Sequence, residues 1–327
     1  MELFIFKIKF KGPVHFGETG IYLENVQETV SSDTFFSALI NAVSIHFGKG
    51  EADEWIRKFY ENPPFLVSSL FIYKGNTFFL PKPLYDSFLS ESIRTGLGKE
   101  IRKLRWLNAE DFLRWQKQDI FKEEELLRIK EEQVIYENSY KVEIRPRVTL
   151  DRVTNQSTIY FCGLIKFKED AGLYGLVIFN DKSFIERFYR VLTLLGHTGI
   201  GGERTYGYGN FEVLNFEKVS GVFEKIASDG NKFTLLSLYH PSKDERENIE
   251  KKLISYEIKR KKGWITSGKE SMPLKRKSLG FLVEGSVFLE RVKGALVDVT
   301  PESPPPNMLS HRIYRYGYAF LLPIKES

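Results

Sequence analysis

The chain has 327 residues, of which 42% are hydrophobic, and its 48 Lys and Arg exceed its 43 Asp and Glu by five charges. This length and composition allow two compact domains with hydrophobic cores and exclude a disordered chain. The single cysteine, Cys162, excludes an intramolecular disulfide. The first ten residues do not have the order of basic, apolar and small residues that is typical of a signal peptide, and no apolar run of about eighteen residues occurs. We therefore expect a cytoplasmic protein with no membrane span.

The first elements follow an order of strand, helix, strand, strand. Apolar residues alternate over positions 4–10, which predicts a strand. Helical spacing from Phe36 to Phe47 follows capping residues at Ser31–Asp33 and ends at Gly48–Gly50. Strand patterns at 65–73 and 77–80 come next.

The segment from Leu84 to Pro146 interrupts this order, and we interpret it as a partly helical insertion whose Asn108 caps a helix. Strand patterns resume at 142–150, 157–167 and 173–179, a helical pattern covers 184–195, and 208–216 predicts a closing strand. This order predicts a ferredoxin-like (RRM-like) domain over residues 1–217.

Residues 218–327 repeat this order only loosely. Strand patterns occupy 233–239, 256–264, 279–289 and 313–322, and the composition of 241–253 favours a helix. The predicted fold class is therefore α+β, with two ferredoxin-like domains of which the second is degenerate.

A glycine-rich loop joins the last helix and last strand of the first half. Six glycines occupy the fourteen positions from Gly196 to Gly209, together with Arg204, Tyr206 and Tyr208. Exposed backbone amides and an arginine form a concave site for anions, so we interpret the loop as a phosphate cradle. The alternative is a connection whose glycines serve turn geometry alone. The order helix, loop, strand does not fit a dinucleotide-binding fingerprint, and no Walker A motif occurs.

Basic residues are concentrated between Lys251 and Lys277, where ten Lys and Arg face two Glu. Aromatic residues are interleaved with them, which is typical of a nucleic-acid contact. The candidate contacts in this stretch are Lys259, Arg260, Lys261, Lys262 and Trp264. A solvated charged face is the alternative.

The glycine-rich run resembles a known family signature. Leu194-Leu-Gly-His-Thr-Gly-Ile-Gly-Gly-Glu-Arg-Thr-Tyr-Gly-Tyr-Gly-Asn-Phe211 is similar to the glycine-rich loop of the RAMP superfamily, the RNA-binding ferredoxin-like subunits of CRISPR effector complexes. Three further runs resemble the subunit of type III-A (Csm) complexes that holds the 5′ repeat-derived tag of the crRNA. They are Ser32-Asp-Thr-Phe-Phe-Ser-Ala-Leu39, Arg145-Pro-Arg-Val-Thr-Leu-Asp-Arg152 and Tyr314-Arg-Tyr-Gly-Tyr-Ala-Phe320.

This resemblance implies a non-catalytic RNA-binding subunit without a cofactor. It implies protein partners as well, namely other Csm effector subunits, including the large polymerase-like subunit and the backbone RAMP subunits. A thumb that breaks stacking between tag and guide would lie in the insertion. The implied RNA contacts are His15, Phe16, Gly17, Ser32, Thr34, Arg147, Arg152, Gly199, Gly201, Gly202, Arg204, Thr205, Tyr206 and Gly207.

Two alternative functions remain open at this point. Relatives in the same superfamily cleave precursor RNA without a metal, using a histidine. His15 and His197 lie in loops expected to approach RNA, and we include His197 among the RNA contacts. The other alternative is a scaffold that meets an acidic protein partner without touching RNA. A metal site has little support, since no two histidines stand at ligand spacing.

Overall fold

The computed structural model describes residues 2–17, 23–119, 121–151, 153–154, 156–227, 230–265, 274–302, 309 and 311–325. The helices are α1 (Ser32–Phe47), α2 (Lys49–Glu61), α3 (Glu91–Lys103), α4 (Ala109–Gln116), α5 (Glu123–Glu137), α6 (Phe184–Thr198), α7 (Val222–Ile226) and α8 (Ile249–Lys252).

The strands of the first half are β1 (Glu2–Phe10), β2 (Phe65–Val67), β3 (Phe71–Lys74), β4 (Thr77–Pro81), β5 (Trp106–Asn108), β6 (Tyr140–Leu150), β7 (Ser157–Phe167), β8 (Ala171–Phe179) and β9 (Phe211–Lys218). The later strands are β10 (Lys232–Leu235), β11 (Leu253–Ser255), β12 (Ile258–Lys261), β13 (Trp264–Ile265), β14 (Leu274–Lys275), β15 (Leu279–Leu282), β16 (Val287–Phe288), β17 (Gly294–Asp298), β18 (Tyr314–Tyr318) and β19 (Leu321–Ile324). Every strand pairing in the described ranges is antiparallel, and the fold is mixed α/β.

A seven-stranded sheet forms the centre of the first half, in the order β5-β4-β3-β8-β1-β9, with β2 also paired to β8. Alternation along β1 buries Phe6 and Ile8 with α1, α2 and α6 on one face. Ile5 packs on the other face with Phe112 of α4, and with residues of α3, α5 and α7. Both faces are therefore covered, which explains why β8 is an almost unbroken apolar run.

Several predicted elements need correction. The sequence pattern ended a helix at Gly48–Gly50, but α2 begins directly at Lys49. The predicted strand 65–73 is two strands, interrupted where Ser68 and Ser69 bond to neighbouring segments. Of the helix predicted over 241–253, only Ile249–Lys252 is helical.

Buried hydrogen bonds join the two halves of the chain. The amide of Leu238 donates to Oγ of Ser32 (2.9 Å), and the amide of Val67 donates to the hydroxyl of Tyr316 (3.0 Å). The rings of Phe36 and Tyr316 lie 4.9 Å apart between centroids. The start of α1 is thereby held against β18 and the loop that follows β10.

Candidate nucleic-acid interface

The glycine-rich loop is ordered by its own backbone and by the segment after β1. The amide of Ile200 donates to the carbonyl of Gly209 (3.0 Å), which closes the loop. The amide of Gly202 donates to the carbonyl of His15 (2.9 Å), and that of Gly209 to Pro13 (3.1 Å). The loop and the segment after β1 form one continuous surface.

Most backbone amides of the loop already have partners within the protein. Backbone carbonyls of the protein accept from the amides of Gly199, Ile200, Gly202, Tyr206, Gly207 and Gly209. In the described part of the chain, the amides of Gly201, Glu203 and Arg204 have no backbone acceptor. A Cβ at Gly201 would lie 2.6 Å from the carbonyl oxygen of His15. This glycine therefore serves close packing, and only part of the loop is left for a ligand.

A cleft of about 280 Å³ adjoins the loop and collects segments that are distant in sequence. The segment after β1, the segment before α1 and the start of that helix contribute His15, Phe16, Gly17, Gln27, Thr29, Val30, Ser31, Thr34, Ser37, Ala38 and Asn41. The loop contributes Gly199, Ile200, Gly201, Gly202 and Arg204, and the second half contributes Lys261, Arg276 and Arg315. The glycine-rich loop, the segment after β1 and the start of α1, whose residues the family resemblance implies as RNA contacts, meet here.

The cleft is electropositive. Its lining holds four cations, Arg204, Lys261, Arg276 and Arg315, and no Asp or Glu within the described ranges. Hydroxyl and amide side chains of the α1 region supply most of the remaining polar groups. Such a lining can bind an anion through charge and hydrogen bonds together.

A buried carboxylate holds two of these cations in place. Asp33 is fully buried and accepts from Nζ of Lys261 at 2.8 Å and from the guanidinium of Arg315. Burial acts to raise the pKa of this carboxyl, but the charges of Lys261 and Arg315 outweigh burial and lower the pKa of Asp33 to about 2. The ion pairs therefore persist at every physiological pH.

The other predicted residues of α1 and the segment after β1 differ in accessibility. Ser32 is buried and joins the halves of the chain, so it belongs to that junction and not to the cleft lining, whereas Thr34 is exposed and lines the cleft. The ring of His15 is enclosed between Gly17 and Gly202, and its Nδ1 lies 2.8 Å from the carbonyl oxygen of Gly163. Because that oxygen can only accept, Nδ1 carries the proton. Phe16 is buried as well.

The hairpin of β6 and β7 reaches the edge of the loop through Arg147. Its guanidinium carbon lies 4.1 Å from the ring centroid of Tyr206, and its NH2 donates to the hydroxyl of Tyr208 (3.2 Å). Tyr206 is 56% exposed beside the exposed Arg204, Thr205 and Gly207. Arg152 lies outside the described residues.

The basic stretch reaches the cleft at fewer positions than predicted. Lys261 lines the cleft, whereas Lys259, Arg260 and Lys262 do not. Arg260 directly precedes Lys261 in β12 and therefore points to the opposite face of the strand. Trp264 is 38% exposed outside the cleft lining, and Nζ of Lys275 lies 5.0 Å from its ring centroid. Arg276 and Arg315 were missed as cleft residues, although both lie in segments that the sequence analysis singled out.

His197 is exposed at the end of α6, where its carbonyl accepts from the side chain of Asn210 (2.6 Å). Over the described ranges, no group of three His, Cys, Asp or Glu side chains is placed to hold a metal ion. None of the described helices has the length and apolar character needed to cross a membrane.

Sequence comparisons identify the family. A model of the RAMP superfamily matches residues 7–212, and a model of the CRISPR Csm4 C-terminal domain matches residues 228–324. A Thermococcus onnurineus protein named CRISPR system Cms protein Csm4 is 31% identical, over 90% of this chain and 91% of that protein. A protein of the same name from Methanocaldococcus jannaschii is 24% identical, over 99% and 97%.

Solved structures show the same fold. A chain of the Csm3-Csm4 subcomplex of the type III-A CRISPR-Cas interference complex aligns with a TM-score of 0.65, at 20% identity over 100% of both chains. A chain of the Csm1-Csm4 cassette in complex with pppApA aligns with a TM-score of 0.61, at 23% identity over 99% of this chain and 98% of that one.

The fold and the glycine-rich loop thus define a member of the RAMP superfamily, as the sequence resemblance predicted. Within that superfamily, the chain belongs to the Csm4 family.

Proposed function

We propose that this chain is a non-catalytic RNA-binding subunit of a type III-A CRISPR effector complex, and that it anchors the 5′ repeat-derived tag of the crRNA in the cleft. The observation that carries the proposal is the composition of the cleft. Three segments implied by the family resemblance line it together with four cations and no described carboxylate. Membership of the Csm4 family supports the assignment to a CRISPR complex.

In this proposal, Arg204 and the available loop amides bind phosphate oxygens, and the hydroxyls of Ser31 and Thr34 bind phosphate or ribose. Tyr206 offers an exposed ring at the rim for a splayed base, held in orientation by Arg147. The aromatic residues of the central strands cannot take this role, because both faces of the sheet are covered.

We assign the thumb to the hairpin of β6 and β7, which begins in the predicted insertion and extends beyond it. The helices of the insertion, α3 to α5, pack on the sheet. The hairpin strands instead form a two-stranded sheet of their own, bonded at the base of β7 to Val14 and Leu23, and they expose Ile144, Val148 and Ile159. Apolar side chains on a projecting ribbon suit insertion between bases.

We further propose the predicted domain division at residue 217, with a ferredoxin-like first domain and a degenerate second one. The spatial order β9-β1-β8-β2 supports this for the first half, since it is the order of a ferredoxin-like sheet. For the second half, the support is the smaller sheet β11-β16-β10-β19.

The names of the solved neighbours support protein partners. They were solved with Csm1 and with Csm3, and we propose that this chain docks in the cytoplasm against a large polymerase-like subunit and a backbone RAMP subunit. No cofactor is needed for this role.

RNA cleavage by a histidine has less support than binding. His15 is enclosed and its Nδ1 proton is directed at a backbone carbonyl, so its imidazole is poorly placed for proton transfer to a ribose.

The test is binding of labelled tag-containing RNA to the full chain and to an Arg204→Ala, Tyr206→Ala variant. We expect the variant to fold and to lose about 1–3 kcal/mol for the stacking contact alone. An Arg57→Gln variant, altered on the exposed side of α2, is the matched control. Unchanged affinity in the folded double variant would contradict the proposal, and an absence of salt-dependent RNA binding would favour the protein scaffold.

A further inference from the structure

Arg276, directly after β14, is a half-buried cation that makes no direct ion pair within the described ranges. Its amide donates to the carbonyl of Gly263 (2.9 Å), so the backbone position is fixed. Its side chain lines the cleft. The Nε of Arg276 is buried and has no hydrogen-bond partner.

The neighbouring Arg315 offers no compensation. It is only 6% exposed, and it donates to the buried Asp33 and to the carbonyl of Lys262 (2.9 Å), while its own Nε is also buried without a partner. Burial and the adjacent charge of Arg315 lower the pKa of Arg276. Buried donors without acceptors and neighbouring like charges therefore destabilise the isolated chain at Arg276 and Arg315.

The wall of the cleft that the second half contributes carries more positive than negative charge. Asp33 already pairs with both Lys261 and Arg315. Three cations of the second half thus face one carboxylate, so positive charge is in excess, and Arg276 is the cation that makes no direct ion pair with Asp33. An anion bound in the cleft would neutralise it and satisfy its donors.

We infer that Arg276, backed by Arg315, binds a phosphate group of the RNA on the wall of the cleft that the second half contributes. This inference rests on the proposed function and adds a phosphate site outside the glycine-rich loop. The backbone of the RNA then crosses the junction of the two halves, contacting Arg204 on one side and Arg276 on the other. The volume of about 280 Å³ is just below the usual range for small-ligand pockets, so we expect room for no more than one nucleotide between the two contacts.

Phosphate fits this site better than a carboxylate of a protein partner. The lining combines arginine forks with hydroxyls and with glycines that bring backbone close, which is the chemistry of phosphate sites. The exposed ring of Tyr206 at the rim adds a surface for a base.

The test measures binding of a labelled single-stranded RNA to the full chain over a series of KCl concentrations. For Arg276→Gln, we expect affinity to fall about tenfold, and the slope of log K against log[KCl] to fall by about 0.7, the value for one lost phosphate contact. Arg276→Lys should keep the slope, because the charge remains, but recover only part of the affinity, because the fork is lost. Arg57→Gln is again the control and should change neither quantity.

A second readout separates binding from structure. Because Arg276→Gln removes an unpaired charge beside Arg315, its melting temperature without RNA should equal or exceed that of the unmodified chain. A lower melting temperature with an unchanged slope would show a structural role and overturn the inference.

The variants also distinguish the inference from the proposal beneath it. If Arg204→Ala, Tyr206→Ala weakens binding but Arg276→Gln leaves affinity and slope unchanged, the inference fails and the proposed function stands. If neither variant weakens binding, the proposed function fails. If Arg276→Gln leaves RNA binding unchanged but weakens assembly with a partner subunit, the ligand is an acidic protein surface and the inference is wrong.

Discussion

The carboxylate of Asp33, in the first turn of α1, lies 2.8 Å from Nζ of Lys261 in β12, so an ion pair joins positions 228 residues apart. Arg315 is the second partner of Asp33. This carboxylate therefore sets the spacing between the α1 wall of the cleft and the wall that the second half contributes. The ion pair is buried, and removal of the Asp33 carboxylate would leave Lys261 and Arg315 without their counter-charge.

Stability should therefore depend on pH through Asp33. Its pKa is about 2 in the folded chain against an ordinary value of 3.8. A lowered pKa stabilises the fold above the unfolded pKa, so roughly 2 kcal/mol should be lost as pH falls from about 4 to about 2. Asp33→Asn should destabilise the chain by about 3 kcal/mol at pH 7, measured by urea denaturation. The difference between the two proteins should shrink below pH 4; a constant difference down to pH 2 would contradict this role.

Gly207 and Gly209 allow a matched comparison in one loop. Both have φ of +80°, but a Cβ at Gly207 meets open space, whereas a Cβ at Gly209 would collide with the carbonyl of Ile200. Gly207→Ala should cost about 1 kcal/mol of stability through backbone strain alone. Gly209→Ala should cost about 2 kcal/mol more, because the hydrogen bond from Ile200 must open. Equal losses on thermal unfolding would mean that the loop is not closed as described.

The ring of Tyr206 should matter for RNA binding more than its hydroxyl. Tyr206→Ala should weaken binding of single-stranded RNA by about 1–3 kcal/mol, whereas Tyr206→Phe should bind almost normally. Since Arg147 stacks on this ring, a double-mutant cycle with Arg147→Ala should give a coupling of about 0.5–1 kcal/mol in the free energy of binding. Similar losses for Phe and Ala at position 206 would argue against base stacking.

Histidine substitutions should separate stability from cleavage. His15→Ala removes an enclosed ring and its hydrogen bond to Gly163, so we expect a loss of about 2 kcal/mol in stability. His197→Ala, on the exposed surface, should stay within about 0.5 kcal/mol of the unmodified chain. Labelled repeat RNA incubated with the unmodified chain in EDTA should remain intact. A product that disappears in His15→Ala would make the chain a nuclease.

Local patterns predicted much of the first half correctly. The alternation at 4–10 and the helical spacing at 184–195 correspond to β1 and α6, and Asn108 caps α4 by accepting from the amide of Asp111 (2.8 Å). The sequence analysis missed α2, because Gly48 and Gly50 were interpreted as the end of the helical segment. One of them, Gly50, lies inside α2, where the packing of Trp55 and Phe59 outweighs its low helix propensity.

The site was harder to predict, because its residues meet only through tertiary contacts. The loop and the α1 residues could be found from their sequence pattern. The sequence did not show that Arg276, among the cations of residues 251–277, lines the cleft. Which of these cations does so depends on the direction in which each strand residue points and on how β18 docks. Ser32 lies in a run that resembles the family, but its hydroxyl accepts from the amide of Leu238 and so joins the two halves of the chain.

The hairpin of β6 and β7 also has a practical consequence for handling the protein. Leu150 and Ile159 are 68% and 64% exposed on the outer part of this ribbon, beyond the base where β7 bonds to Val14 and Leu23. Unpaired edges with apolar side chains invite strands from other molecules. The chain produced by itself should therefore aggregate through this ribbon as its concentration rises, and production together with RNA and partner subunits should keep it in solution.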